Sequence, residues 1–136
     1  MATRTDYFIQ KVLDHLYLNT AIANIGDVSG LPAAATAGDI YVALLTAGGE
    51  ATYTPYTRQT IARSSSGFSR TGNVMTNVAN ITFPKCTSGS DTITKIALYD
   101  GAVGNKLHEQ TLGDPIAVST NVQPIIEAGE LTITGS

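Results

Sequence analysis

The sequence predicts a mainly-β single domain, a sandwich or jelly-roll-like barrel, with one N-terminal α-helix. The chain has 136 residues, which is a typical length for one domain. Its polar residues are mostly hydroxyl-bearing, with 19 Thr and 9 Ser, while charged residues make up only 14%. Eight short apolar or alternating segments follow a single helical segment, and their spacing is typical of a β-sandwich or barrel.

Residues 1–20 hold the predicted helix, which runs from Thr5 to Leu18. Thr5 can serve as the N-cap, and Asp6 lies where the positive end of the helix dipole favours an acid. A stripe of two adjacent apolar rows is wide enough to be buried against a sheet or against a partner. The rows are Phe8, Val12 and Leu16 in the first, and Ile9, Leu13 and Tyr17 in the second.

Residues 21–39 are predicted to form a loop, because glycine and proline interrupt this segment repeatedly. Residues 40–136 are predicted to form the β-sandwich. Asp100-Gly101 and Gly104-Asn105 bracket a hairpin-like connection between two of its strands. The predicted strands are Ile40–Leu45, Tyr56–Ala62, Val74–Val78, Asn80–Phe83, Thr92–Tyr99, Lys106–Leu112, Ile116–Val122 and Glu130–Thr134.

No motif in the sequence supports catalysis. The two histidines, His15 and His108, have no second His or Cys at metal-ligand spacing, and the single Cys86 excludes an internal disulfide. The serines at 64–66 lack the G-x-S-x-G nucleophile elbow, and no phosphate-binding glycine pattern occurs. We therefore expect no catalytic residue, no cofactor and no metal site.

Charge and hydropathy argue against two classes of partner. The net charge is −3, whereas a general nucleic-acid binder needs a basic excess to displace counterions. No apolar run approaches the roughly 18 residues of a membrane-spanning helix. We therefore expect neither a nucleic-acid partner nor a membrane partner.

Basic residues are concentrated in one region of the chain. Residues 51–90 contain no acid and hold Arg58, Arg63, Arg70 and Lys85, which contribute +4, while the remaining residues sum to −7. Arginine is favoured at protein interfaces and at bidentate carboxylate contacts. This region is either a solvated basic face or a docking edge for an acidic surface.

Two sets of residues are candidates for a protein interface. The first is the arginine set, in which Arg58 is the best candidate because it shares one face of its predicted strand with Tyr56 and Thr60. The second is the helix row formed by Phe8, Val12 and Leu16. We also expect a homo-oligomer, because a small β domain must cover or pair its sheet edges and its apolar helix stripe.

Segments spread along most of the chain resemble, in order, a small virion-protein family of tailed bacteriophages, often labelled phage tail fibre proteins. Glu130 stands where the closing motif of that family has Asp, and the loop over 22–38 is longer than in the family pattern. The resembling segments are Leu13-Asp14-His15-Leu16, Ile40–Thr46, Tyr56–Gln59, Asn80–Pro84, Ile93–Asp100, Gly104–Leu107 and Ile125–Ile133.

The resemblance implies a non-enzymatic structural component of the virion, assembled in the cytoplasm of the bacterial host. A fibre shaft is excluded, because shafts need coiled coils or repeats and this sequence has neither. We expect a head decoration or cement protein that binds the major capsid protein and stabilises the capsid lattice. A tail or tail-fibre-associated protein is the alternative. A carbohydrate- or receptor-binding module is a third hypothesis, weakened by the lack of Trp.

Overall fold

The structure is a computed structural model and describes residues 2–135. Over these residues the chain forms one α-helix followed by ten β-strands, which confirms the prediction of a mainly-β fold with an N-terminal helix. The elements are α1 (Asp6–Leu18), β1 (Asp39–Thr46), β2 (Gly49–Glu50), β3 (Gln59–Ala62), β4 (Phe68–Thr71), β5 (Val74–Asn77), β6 (Ile81–Thr82), β7 (Asp91–Tyr99), β8 (Lys106–Val118), β9 (Ile125–Ile126) and β10 (Thr132–Thr134).

Strands β1 and β7 form the centre of a five-stranded antiparallel sheet. β8 pairs with the far edge of β7, while β2 and β3 both pair with the other edge of β1. Alternate side chains of β1 face the core, so Ile40, Val42 and Leu44 are buried there. Two smaller sheets, β10-β5-β4 and β6-β9, complete the β structure of the described residues.

The structure joins two of the predicted strands, Lys106–Leu112 and Ile116–Val122, into the single strand β8. Glycine, aspartate and proline at 113–115 predict a break between them. Instead the register with β7 shifts at this point, so these residues form a bulge within one strand. Pairing with β7 therefore overrides the local turn signal, and the strand ends at Val118.

The sequence prediction misses the short strands β2, β4 and β9. β4 contains a single apolar residue, Phe68, so no alternation marks it as a strand. It is extended because it pairs with β5 across a turn at Gly72, where a φ of 60° suits glycine. These strands form through pairing with neighbours, which a local sequence pattern does not report.

Helix α1 packs through the second of its two apolar rows. Ile9, Leu13 and Tyr17 are each at most 8% exposed and belong to the same core cluster as β1 and β7. Burial of each such side chain stabilises the fold by about 1.5–3 kcal/mol. The N-cap prediction is confirmed, because the backbone N–H of Phe8 donates to Thr5 Oγ1 at 3.1 Å. In the first row, Phe8 and Val12 face solvent.

Candidate protein interface

Arg63 holds the C-terminal end of α1. Its guanidinium donates to the carbonyl oxygens of His15 at 2.8 Å, Leu16 at 2.6 Å and Ala37 at 2.6 Å. The last carbonyls of a helix have no partner within the helix and carry the negative end of its dipole. Arg63 therefore caps α1 and ties the following loop to it.

Arg70 joins β4 to α1 through a bidentate ion pair with Asp14. Its Nε lies 2.5 Å from Asp14 Oδ1, and its Nη2 lies 3.1 Å from Oδ2. A third bond runs from Nη1 to the carbonyl oxygen of Gly72 at 2.8 Å. Both charged side chains are largely removed from solvent, with 23% and 11% of their surface exposed. The pair therefore fixes the helix against the small sheet.

Arg58 binds two segments at the opposite edge of the main sheet. It donates to both carboxylate oxygens of Glu50, at 2.9 and 3.0 Å, and to the carbonyl oxygen of Gly101 at 3.1 Å. Its guanidinium lies 3.8 Å from the ring centroid of Tyr99. The hydrogen bonds from Arg58 lower the pKa of the Glu50 carboxyl below its usual value. The ion pair is therefore fully charged at neutral pH.

All three candidate arginines have partners within the chain. The prediction that they dock an acidic surface stays a prediction, but the argument from strand alternation is wrong for Arg58. Strand β3 begins at Gln59, so Arg58 precedes the strand and shares no strand face with Tyr56. The sequence does not indicate which acids bind these arginines. Asp14 is 56 residues from Arg70, and Glu50 lies in β2, a strand that the sequence does not predict.

The first apolar row of α1 is exposed over its N-terminal half. Phe8 is 50% exposed and Val12 is 39% exposed, while Leu16 is half-buried and packs against the core. Two cations, Arg4 and Lys11, lie on the same part of the chain, and neither is in an ion pair within residues 2–135. This part of the surface therefore combines apolar side chains with unpaired positive charge.

A groove of about 220 Å³ runs beside this row, between α1 and the start of β8. His108 lines it, and the Nδ1 atom of His108 hydrogen-bonds to the buried hydroxyl of Tyr17. Burial lowers the pKa of His108 and raises that of Tyr17. Both groups are neutral at pH 7, so His108 adds no charge to the lining of the groove.

A second groove, of about 440 Å³, lies between the C-terminal half of β8 and strand β9. Its apolar lining comes mainly from Leu112, Ile116 and Ile125, and Ile125 is 42% exposed. Two acids, Asp114 and Glu130, stand at its border. The groove thus pairs an apolar surface with negative charge.

Sequence analysis did not identify this second groove. The sequence predicts Leu112 and Ile116 in two different strands and Ile125 in none. The groove exists because the bulge at 113–115 keeps both residues on β8 and because β9 lies alongside. The isoleucine pair at 125–126 is the one local signal that points to β structure there.

Three further findings concern the described residues as a whole. No group of three or more His, Cys, Asp or Glu side chains in residues 2–135 is placed to hold a metal ion. No helix in that part of the chain is long and apolar enough to cross a membrane. The two histidines do not meet, because His15 binds the carbonyl oxygen of Thr20 at 2.9 Å whereas His108 binds Tyr17.

Comparison with known proteins identifies the family of the chain. The model of the family described as Podophage GP4 fiber I protein gp80 matches residues 3–134, which include α1 and all ten strands. No curated protein matches the sequence. The match agrees with the resemblance to small virion proteins of tailed phages that the segments along the chain indicate. The chain belongs to the Podophage GP4 fiber I protein gp80 family and is thus a structural component of a phage virion.

Proposed function

We propose that this chain is a non-enzymatic assembly domain of the phage fibre that attaches to virion proteins through the exposed row of α1. The observation that carries the proposal is that α1 is firmly held to the core, yet presents Phe8 and Val12 to solvent. Exposed apolar residues grouped on one face are typical of protein interaction sites. The family description, which names a fiber protein, supports an assembly partner within the fibre.

The dimensions of the elements support a compact module of the fibre instead of its shaft. α1 has 13 residues, which span about 20 Å at 1.5 Å per residue. The longest strand, β8, pairs from end to end with the nine residues of β7, which span about 30 Å at 3.3 Å per residue. Elongated shafts are built from coiled coils or repeats, which the sequence lacks.

The family description favours the fibre over the head decoration that sequence analysis expects. An exposed apolar row on α1 would serve contact with a capsid lattice as well as contact within a fibre. The carbohydrate-binding hypothesis has no specific support, because Tyr56 and Tyr99 take part in internal contacts. The Tyr56 hydroxyl donates to Glu50 at 2.7 Å, and the guanidinium of Arg58 covers the ring of Tyr99.

Electron microscopy of purified virions with a gold-labelled antibody against this chain tests the placement. We expect gold at the fibres. Gold distributed over the head would overturn the fibre placement and support decoration of the capsid.

The non-enzymatic part of the proposal is tested with virions that carry His15→Asn and His108→Asn together. We expect these virions to contain the protein at wild-type amounts and to infect normally. The thermal stability of the double variant, compared with that of the wild type, shows whether any loss comes from unfolding. A virion activity that is lost while incorporation stays normal would contradict it.

A further inference from the structure

We propose that the exposed face of α1 on one copy binds the acidic groove on a second copy in a head-to-tail contact. The helix face is defined as Arg4, Phe8, Lys11 and Val12, and the acidic groove as Leu112, Asp114, Ile116, Ile125 and Glu130. This deepens the proposed function, since it takes the helix face as a protein-binding surface and names its occupant.

The helix face is suited to insert into a groove on a partner. Phe8 and Val12 lie one turn apart on the same side of α1, so their side chains project together. The helix is held at its end by Arg63 and in its middle by the Asp14–Arg70 ion pair. A rigid helix loses little conformational freedom on binding, which favours association.

The acidic groove is suited to receive the helix face because it is concave and carries apolar and acidic side chains. It is an open groove of about 440 Å³, and Gln110, Asp114 and Glu130 contribute polar groups to its lining. The exposed side chain of Ile125 and the half-buried Leu112 and Ile116 form an apolar lining. Asp114 makes no ion pair within residues 2–135, so its charge is available to a partner.

The charges of the two surfaces are complementary. Arg4 lines the groove beside the apolar row of α1, and Lys11 lies on the helix one turn from Phe8, with its Nζ 5.7 Å from the ring centroid of Tyr7. Asp114 and Glu130 are the acids beside the acidic groove. Opposite charges around an apolar contact fix its register and speed association. The acidic groove of a second copy therefore offers both features that the helix face requires.

A head-to-tail contact fits these charges better than a symmetric one. If the helix faces of two copies met each other, Arg4 and Lys11 would oppose their own counterparts, and like charges at an interface are unfavourable. The two surfaces share no lining residue, so one copy can offer both at once. Such heterologous contacts close into rings or extend into filaments.

Sedimentation velocity over a range of protein concentrations tests the inference. We expect the wild-type chain to associate, and we expect Val12→Glu and Ile125→Lys each to weaken association at least tenfold. Val28→Glu is a matched control, because Val28 is 84% exposed and belongs to neither surface. Thermal melts check that each variant is folded. We expect all three to fold, because Val12, Val28 and Ile125 are exposed.

Mixing the two variants identifies the geometry. A Val12→Glu copy keeps an intact acidic groove, and an Ile125→Lys copy keeps an intact helix face, so an equimolar mixture should form dimers and nothing larger.

Reversal of one charge pair gives a second readout. Lys11→Glu and Asp114→Lys should each weaken association when made alone, and the double variant should restore it.

Several results would overturn the inference. A wild-type chain that stays monomeric would do so, and so would Ile125→Lys copies that associate like the wild type while Val12→Glu copies do not. Gold labelling of the virion is independent of these results. Label on the head would refute the fibre placement without affecting self-association, and a monomeric chain would leave the fibre placement intact.

Discussion

At the scale of single residues, arginine side chains tie together segments that are far apart in the sequence. Arg63 binds the end of α1, Arg70 binds the middle of α1, and Arg58 joins Glu50 to the turn after β7. The planar guanidinium offers several donors in a fixed geometry, so one side chain can satisfy a carboxylate and a carbonyl together. This explains why a region rich in arginine and free of acids lies against acids from elsewhere.

Truncation of Arg70 should destabilise the fold, because it leaves Asp14 in a largely buried position without its cation. For Arg70→Ala we expect the free energy of unfolding to fall by about 2–4 kcal/mol, measured by urea denaturation. Lys85→Ala is the control, since Lys85 is exposed and makes no ion pair in residues 2–135, and its effect should stay within about 0.5 kcal/mol. The double variant Asp14→Ala/Arg70→Ala should lose less than the sum of the two single losses. Equal effects of Arg70→Ala and Lys85→Ala would contradict the structural role.

His108 should make stability depend on pH in the mildly acidic range. Burial lowers its pKa in the folded protein below the ordinary value of 6.5. The unfolded chain therefore binds the proton more readily, and the free energy of unfolding should decrease as pH falls below 6.5 toward the folded pKa. Urea denaturation between pH 7.5 and 5.5 measures this loss, which should shrink in His108→Gln and persist in His15→Gln. Identical pH profiles for His108→Gln and the wild type would refute it.

At the scale of elements, the two apolar rows of α1 have different partners. Both rows follow the same spacing, so the sequence predicts a broad stripe but not which row is buried. Packing of Tyr17 against Phe68, with ring centroids 5.0 Å apart, shows that the second row meets the core. Phe8 and Val12 of the first row are left for contacts outside the chain, whereas Leu16 packs against the core.

Alanine substitution should separate the two rows. Leu13 is 3% exposed, so Leu13→Ala should lower the free energy of unfolding by about 2–5 kcal/mol through lost burial and a cavity. Val12 is 39% exposed, so Val12→Ala should change it by less than about 0.5 kcal/mol. Chemical denaturation of the isolated protein measures both. A large loss for Val12→Ala would mean that the first row is also part of the core.

The strands differ in how well the sequence predicts them. β1 and β7 are long and largely apolar, and their predicted bounds agree with the structure to within one residue. β4 has one apolar residue and forms only because β5 pairs with it, so it is missed. β8 is predicted as two strands because glycine and proline are local break signals, whereas its continuity depends on pairing with β7.

At the scale of the whole molecule, a shared core joins the helix and all three sheets, and the candidate surfaces lie around strand β8. The buried cluster contains residues of α1, of the main sheet and of both smaller sheets. The groove beside α1 uses the start of β8, and the acidic groove uses its end. The helix row Phe8–Val12 could be predicted from the sequence, because it depends on local spacing. The acidic groove could not, because β8 and β9 meet only in the folded chain.

In the proposed function, the chain joins the virion through the exposed face of α1. The most direct test is the amount of this protein per virion, measured by quantitative mass spectrometry, in phage whose gene carries Val12→Glu. We predict at least a tenfold reduction in the amount of this protein per virion, with normal incorporation of the Val28→Glu control. Wild-type amounts of folded Val12→Glu protein in the virion would contradict the claim.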